Sequence, residues 1–409
     1  MDPVTGQAIG HRTSAIFIKA PSHVLMGRSF AWKKAMTFKM RRKQEIRMTD
    51  GSLLADIVTR FVQGRCELSD FVRAVIGCDM IVDGWVQNPA LHAVLHERVG
   101  EIIAHAPHDA RAAYEMHSTL HSLYSMQIAQ RGSPQEFSVR LFEIRRLLES
   151  SWLNAEFTRC QAEPMPKEPA EFRSWFFGHA ERHPAARHAL YDYIGDEISL
   201  RGFRMFVSHE STVDARFDDL LALAQLGFTG AKKLEVARNY WDELGAGRPA
   251  RVHTTMFNHV FDAIGYESID ASDLDVTALA CGNLLLALAS YRSYSNYAIG
   301  ALGITEALAP YRFEKVLKAG ARLRIDARAM EYFREHVRVD VHHTQKWIEN
   351  VIEPTLHEHP FALPQVCIGV FARLNTSMTY CDALLGKLMG ADGPTSQSAL
   401  LADEVRLHD

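Results

Sequence analysis

The stretch that decides the fold of this chain is HVRVDVHH, residues 336–343, within the run MEYFREHVRVDVHHTQKWIENVI of residues 330–352. Apolar residues recur in this run at every third or fourth position, which predicts an amphipathic helix. His336, Asp340 and His343 occupy three successive positions where the apolar face should continue. At about 100° per residue they fall within roughly 60° of arc and span about 10 Å of helix axis. These three side chains should therefore point into the protein together.

The remaining polar residues of this stretch, Arg338 and His342, fall on other faces of the helix and should point outward. A single histidine on an apolar face is usually a hydrogen-bonded core residue. Three ionisable groups in a row are harder to accommodate, because a buried charge without a partner costs several kcal/mol or more. Two imidazoles and a carboxylate on one face therefore favour a set of metal ligands.

Other predicted helices contain the same kind of polar interruption of an apolar face. Glu306, for example, ends the stretch SYSNYAIGALGITE, which carries no other charge. The additional inward-facing groups identified in this way are Glu210, Glu243, His253 and Glu306.

Glu243 and His253 cannot meet on one straight helix. Ten residues would separate them by about 15 Å and by about 80° of rotation. The segment between them contains GAGRP, residues 245–249. Because glycine suits the end of a helix and proline the first turn of the next, this segment predicts a break that folds both side chains back to one point.

The complete set of candidate metal ligands contains four carboxylates and three imidazoles: Glu210, Glu243, His253, Glu306, His336, Asp340 and His343. Four carboxylates neutralise two divalent ions, and oxygen and nitrogen ligands without thiolate suit iron or manganese. Helical bundles build such two-metal sites from inward-facing side chains. No basic residue interrupts the same apolar faces in the sequence, which argues against structural ion pairs.

Two other histidine pairs have the i,i+4 spacing that can bind zinc, His92/His96 and His117/His121. Neither pair is accompanied by a carboxylate on its own apolar face. We interpret both as solvated or interhelical histidines. No glycine-rich phosphate loop follows a strand, so a nucleotide site is unsupported.

The chain has 409 residues, of which 47% are hydrophobic, enough for a large core. Its six cysteines are scattered without a CxxC pair, which is typical of reduced thiols in a cytoplasmic protein. The pattern predicts an all-α fold with helices near 52–64, 68–82, 89–105, 109–130, 135–160, 169–182, 185–225, 230–244, 250–265, 273–308, 326–355 and 362–389. The longest uncharged run, residues 276–291, is too short and too mixed to span a membrane.

Charge and composition suggest four segments. Residues 1–50 form a basic, disordered leader, although a transit peptide or a polyanion-binding arm is also compatible with its charge. Residues 51–132 form a helical extension, residues 133–390 the main helical domain, and residues 391–409 a disordered tail. The net charge of −4 leaves the chain beyond the leader acidic, which argues against nucleic acid as a partner.

The spacing of the candidate ligands resembles that of the haem-oxygenase-like di-iron oxidases, also called iron-containing redox enzymes. In that family a Glu and a His lie about ten residues apart, and a further Glu precedes a His-x3-Asp-x2-His triplet by about thirty. Glu243 and His253, then Glu306 and His336, have these spacings here. The resemblance covers roughly residues 135–390. Its first-helix Glu matches Glu210, with Glu197 as the weaker alternative.

The resemblance implies a haem-oxygenase-like bundle that holds two iron ions as Fe2+, with manganese as an alternative, and uses O2 as co-substrate. It implies a non-haem di-iron oxygenase or oxidase of specialised metabolism, with N-oxygenation of an amino acid or amine as the leading reaction. Oxidative C–C cleavage or decarboxylation of an amino or fatty acid, or a metal-free binding relative, is the alternative. An external reductant or redox protein is an expected partner. The sequence leaves open whether the N-terminal helices form a homodimer or dock on their own bundle.

Overall fold

The computed structural model of the protein describes residues 51–79, 88–265 and 273–391. Within these ranges every regular element is a helix, which confirms the predicted all-α class. None of the described helices combines the length and the apolar character needed to cross a membrane. The predicted leader, and the predicted tail from residue 392 onward, lie outside the described residues.

The α-helices, numbered in chain order, are α1 (Gly51–Val62), α2 (Leu68–Ile76), α3 (Pro89–His105), α4 (Ala110–Ile128), α5 (Val139–Gln161), α6 (Phe172–Arg182), α7 (Ala189–Asp196), α8 (Leu200–Glu210), α9 (Phe217–Ala224), α10 (Gly230–Glu243), α11 (His253–Ala263), α12 (Val276–Ser290), α13 (Ser295–Arg322), α14 (Glu331–Trp347), α15 (Glu353–Glu358) and α16 (Leu363–Ala391). Short 3-10 turns lie at Pro134–Phe137, Pro169–Glu171, Pro184–Arg187, Asp214–Arg216, Gly245–Gly247, Pro249–Arg251, Arg292–Tyr294 and Pro360–Ala362. A π-helical turn, Ile348–Ile352, joins α14 to α15.

The single helix predicted over residues 185–225 is wrong, because the structure divides this segment into α7, α8, a 3-10 turn and α9. Ser199 causes one of the breaks. Its backbone is extended, and its hydroxyl accepts a hydrogen bond from the N–H of Gly202 at 3.0 Å. Such a cap satisfies a free N–H of the first turn and contributes about 1 kcal/mol to a helix that starts there. Helix α8 then ends at Glu210.

The helix predicted over residues 273–308 is also divided, at Tyr291, whose backbone is extended. The second part, α13, runs past the predicted end to Arg322 and contains Pro310. Proline removes one backbone hydrogen bond from a helix interior and ordinarily kinks it. Here the helix continues because it packs along its length against α14 and α16.

Helices α13, α14 and α16 form the centre of the bundle, and glycines set how closely they approach. A Cβ atom on Gly300 of α13 would overlap the backbone carbonyl of Val366, and one on Gly369 of α16 would overlap that of Tyr297. The backbones of α13 and α16 therefore touch at two reciprocal points. On the other side of α13, the indole N–H of Trp347 in α14 donates to the carbonyl of Ile299 at 2.9 Å.

The segment predicted as an N-terminal extension shares its core with the main domain. Helix α4 packs against α12, and the amide of Asn283 in α12 donates to the backbone carbonyl of His117 at 2.8 Å. His117 is buried, with its ring at an edge-to-face angle to Trp152. Burial lowers its pKa to about 4, so it is a neutral core histidine. The boundary at residue 132 stays a prediction.

The contact between α13 and α16 generates a stability prediction. Gly369→Ala should lower the free energy of unfolding by about 1–3 kcal/mol, since the added methyl group meets backbone that cannot move aside cheaply. Gly386→Ala is the matched control on the same helix, where a Cβ meets nothing within 4 Å. It should be neutral or stabilising by up to about 1 kcal/mol. Chemical denaturation of both variants measures the difference, and equal effects would contradict the proposed close contact.

Candidate metal centre

Helix α14 places the triplet that the sequence singled out in the interior of the bundle. The side chains of His336, Asp340 and His343 are buried, whereas Arg338 and His342 are exposed. The predicted orientation of this helix is therefore confirmed. The three residues do not surround one point, because they extend along the helix and each end of the triplet meets different partners.

The first group of candidate ligands contains Glu243, His253 and His336, and each contributes one donor atom within 4.8 Å of the others. His253 Nδ1 lies 2.7 Å from one carboxylate oxygen of Glu243, and His336 Nε2 lies 3.8 Å from the other. The Nδ1 atom of His336 contacts the backbone carbonyl of Tyr332 at 2.7 Å. A hydrogen bond there fixes the proton on Nδ1 and leaves Nε2 free to bind a cation.

Glu243 and His253 meet because the chain breaks between α10 and α11, as the sequence predicts. Gly245, Ala246 and Gly247 all have positive φ angles, of 63°, 49° and 79°. A Cβ on Gly245 would overlap the backbone of Arg251, so only glycine allows this turn to close. The guanidinium of Arg251 then forms an ion pair with Glu335 at 2.5 Å, which ties the turn to α14.

The second group contains Glu306, Asp340 and His343, whose donor atoms also lie within 4.8 Å of one another. His343 Nδ1 lies 3.7 Å from Glu306 Oε2 and 3.6 Å from Asp340 Oδ1. Helix α13 supplies Glu306, and α14 supplies the other two residues. The two groups are thus built on four helices, α10, α11, α13 and α14, with α14 contributing to both.

Two polar residues that sequence reasoning missed hold ligands of these groups in place. Asp242 Oδ2 lies 3.2 Å from His343 Nε2, so a hydrogen bond there turns Nδ1 of that ring toward Glu306. Asn239 donates its amide N–H to Glu306 Oε1 at 2.8 Å. Both residues lie on α10, close in sequence to Glu243. Partners of this kind orient metal ligands and raise their affinity for the ion.

The donor atoms that face the interior of the two groups lack ordinary hydrogen bonds. Within the described part of the chain, His253 Nδ1, Asp340 Oδ1 and His343 Nδ1 are buried without a hydrogen-bond partner of acceptable geometry. Buried polar atoms are normally hydrogen-bonded, so these three atoms, one in the first group and two in the second, call for an explanation. A cation bound in each group would contact them, and mixed carboxylate and imidazole donors suit iron. The residues present therefore fit a metal ion in each group, and iron suits these donors.

Burial and neighbouring charges shift the pKa values of several candidate ligands in the two groups. Burial alone would raise the pKa of Glu243, but His253 and His336 keep it well below its usual range. Burial opposes the charged form of His336, yet Asp340 and Glu243 raise its pKa to about 10. Burial, partly offset by His336, raises the pKa of Asp340 to about 6. The raised pKa of His336 means that a proton on this imidazole takes the place of a positive ion.

Glu210 is buried, but the structure does not bring it into either group. Its Oε2 atom pairs with Arg312 Nη1 at 2.5 Å, and its Oε1 atom accepts a hydrogen bond from the hydroxyl of Tyr380 at 2.9 Å. Burial raises the pKa of Glu210, and the charge of Arg312 opposes that rise. Its role as a seventh ligand stays a prediction. Glu197, the weaker alternative, is exposed.

The interpretation that no basic residue shares the inward faces is wrong for Arg312. This residue is buried on α13, the helix that carries Glu306, and it also binds Asp214 at 3.1 Å. On the helix Arg312 is rotated by about 120° from Glu306, and nothing in the sequence shows that α8 approaches it. Arg312 pairs with two buried carboxylates, Glu210 and Asp214.

Asp242 provides a test of how the second group is held. Asp242→Asn keeps the shape of the side chain but loses the charge that orients His343, so we expect affinity for Fe2+ or Mn2+ to fall by about 10- to 100-fold. Dialysis against a graded series of chelators, followed by metal analysis, measures the change. Asp262→Asn, at an exposed position on α11, is the control and should bind metal like the wild type. Equal affinity of the two variants would contradict the assignment.

The raised pKa of His336 and His343 predicts that metal and protons compete. Both imidazoles are protonated near neutral pH without metal, and a ligand must lose its proton to bind. Affinity for Mn2+ should therefore rise as pH increases from about 6 to 9, with release of protons. Calorimetric titration in buffers of different ionisation enthalpy measures that release. An affinity for Mn2+ that does not change with pH, together with no proton release, would contradict this prediction.

Comparison with known proteins agrees with this geometry. Residues 204–378 match the family model described as iron-containing redox enzyme, and this segment includes all seven candidate ligands. No curated protein matches the chain significantly. The family comprises oxidoreductases that contain iron, which fits two buried groups of carboxylates and imidazoles. Residues 204–378 therefore match the iron-containing redox enzyme family.

Proposed function

We propose that this protein is a non-haem di-iron oxygenase or oxidase that uses O2 to oxidise a small metabolite. The observation that carries the proposal is the pair of buried ligand groups, Glu243/His253/His336 and Glu306/Asp340/His343, which share α14. A single group would hold one ion. Two adjacent groups of like composition match the requirement of two irons that act together on one O2 molecule.

Each group would hold one iron ion, and the pair would supply two electrons to O2 when bound there. The protein's own part is to orient the ligands and exclude water. Asp242 and the carbonyl of Tyr332 fix the two imidazoles of α14. The ring centroids of Tyr332 and His336 lie 4.2 Å apart, and those of Phe313 and His336 lie 5.5 Å apart. This aromatic wall limits the access of water to the first group.

For the substrate we propose an amino acid or an amine, oxidised at nitrogen. The support is the resemblance of ligand spacing described above. Oxidative C–C cleavage or decarboxylation of an amino or fatty acid on the same centre is the alternative. Incubation of the iron-loaded protein with amines and fatty acids under O2, with product mass measured, separates them: a gain of oxygen on nitrogen supports the first, and a loss of carbon the second.

The proposal requires a partner that restores electrons. If two irons held by these residues supplied two electrons to O2, the centre would have to be reduced before the next turnover, so an external reductant or a redox protein would act with this chain. We also propose a cytoplasmic location, with all six cysteines as free thiols. Manganese is the alternative metal, since the same donors bind it.

Metal counting tests the di-iron centre directly. The wild-type protein, reconstituted with Fe2+ without oxygen, should retain two irons per chain and develop a transient visible absorption when mixed with O2. His343→Ala and Glu306→Ala each remove a ligand of the second group and should reduce the iron content. His342→Ala, at the exposed neighbouring position, is the matched control and should retain both irons.

Two outcomes would contradict the proposal. The first is a wild-type protein that binds no iron, which would favour a metal-free binding relative of the fold. The second is retention of two irons by His343→Ala and Glu306→Ala. Circular dichroism of each variant shows whether a loss of iron reflects a lost ligand or a lost fold.

A further inference from the structure

Helix α3 carries two histidines one turn apart, at a distance from the buried centre. The rings of His92 and His96 lie 4.7 Å apart between centroids, on the same face of the helix. Their side chains are 35% and 46% exposed, so the pair lies at the surface of the protein. Two histidines at this spacing on a helix can bind one metal ion together. The sequence alone shows no carboxylate on the same apolar face, which predicts solvated or interhelical histidines.

The structure supplies the missing carboxylate from another helix. Glu143 on α5 faces the pair, with Oε1 3.0 Å from His96 Nε2 and Oε2 3.8 Å from His92 Nε2. All three residues offer a donor atom within 4.8 Å of the others. In a tetrahedral zinc site with bonds of about 2.0–2.2 Å, donor atoms lie about 3.3–3.6 Å apart. Rotation of the exposed side chains closes the remaining gap.

Hydrogen bonding alone does not account for this arrangement. Glu143 Oε2 accepts a hydrogen bond from Arg140 at 2.8 Å, and Oε1 contacts His96. The Nε2 atom of His92, however, is shielded from solvent and has no hydrogen-bond partner among the described residues. This nitrogen faces a carboxylate and a second imidazole but makes no hydrogen bond. It is therefore available to bind a metal ion.

We propose that His92, His96 and Glu143 form a zinc-binding site on the surface of the protein. Two imidazoles and one carboxylate select a borderline transition ion such as Zn2+ over Mg2+ or Ca2+, which prefer oxygen donors. Water occupies the fourth position. Because α3 precedes residue 132 and α5 follows it, the ion links the N-terminal helices to the rest of the bundle.

Zinc uptake by the iron-loaded protein tests the site. After equilibrium dialysis with Zn2+, both zinc and iron are counted per chain. Zinc that displaces iron from the buried centre is then recognised because the iron count falls by the same number. We expect one zinc without loss of iron, and a higher midpoint of thermal unfolding. His96→Ala and Glu143→Gln should weaken zinc binding by at least about 10-fold, since even outer partners of a ligand cost 10- to 100-fold.

The matched control is His105→Ala, an exposed histidine on the same helix. This variant should bind zinc and gain thermal stability like the wild type. His92→Ala is a second test, because it removes the nitrogen that has no hydrogen bond. The proposal is overturned if wild-type protein takes up no zinc beyond that displacing iron, or if the variants at 92, 96 and 143 bind it as tightly as the wild type.

Discussion

The bundle is organised around carboxylates and imidazoles that are buried together and must neutralise one another. Glu243 stays ionised only because two imidazoles adjoin it, and His336 stays protonated only because two carboxylates do. Separating any of these groups would leave a charge in an apolar interior at a cost of several kcal/mol. The four helices that carry them must therefore keep a fixed spacing. Metal binding in place of protons preserves this balance of charge.

The backbone provides that spacing at two places. Gly300 and Gly369 allow α13 and α16 to touch, which fixes the helix that carries Glu306. Three consecutive residues with positive φ angles, beginning at Gly245, reverse the chain so that α10 and α11 deliver Glu243 and His253 to one point. A continuous helix could not do this. The glycines thus contribute to the centre as directly as the ligands that they position.

The charged partners that the sequence could not identify come from other helices. Arg312 forms ion pairs with the carboxylates of Glu210 and Asp214. Glu143 lies beside two histidines of α3 and forms a group with them. In both cases the sequence shows the local pattern of a helix but not the residue that another helix brings to it. A hydrophobic pattern reports which face of a helix is buried. It carries no information on which helix covers that face, because that depends on packing over the whole chain.

The sequence alone determined the all-α class, the inward face of α14 and the break between Glu243 and His253. These features follow from local periodicity and from the backbone preferences of glycine and proline, which act over a few residues. Only the tertiary structure decided how six of the seven candidate ligands divide into two groups, and why Glu210 joins neither. Distances between side chains on different helices are set by the packing of the complete core, so a Glu and an Arg separated by about a hundred positions can meet at 2.5 Å.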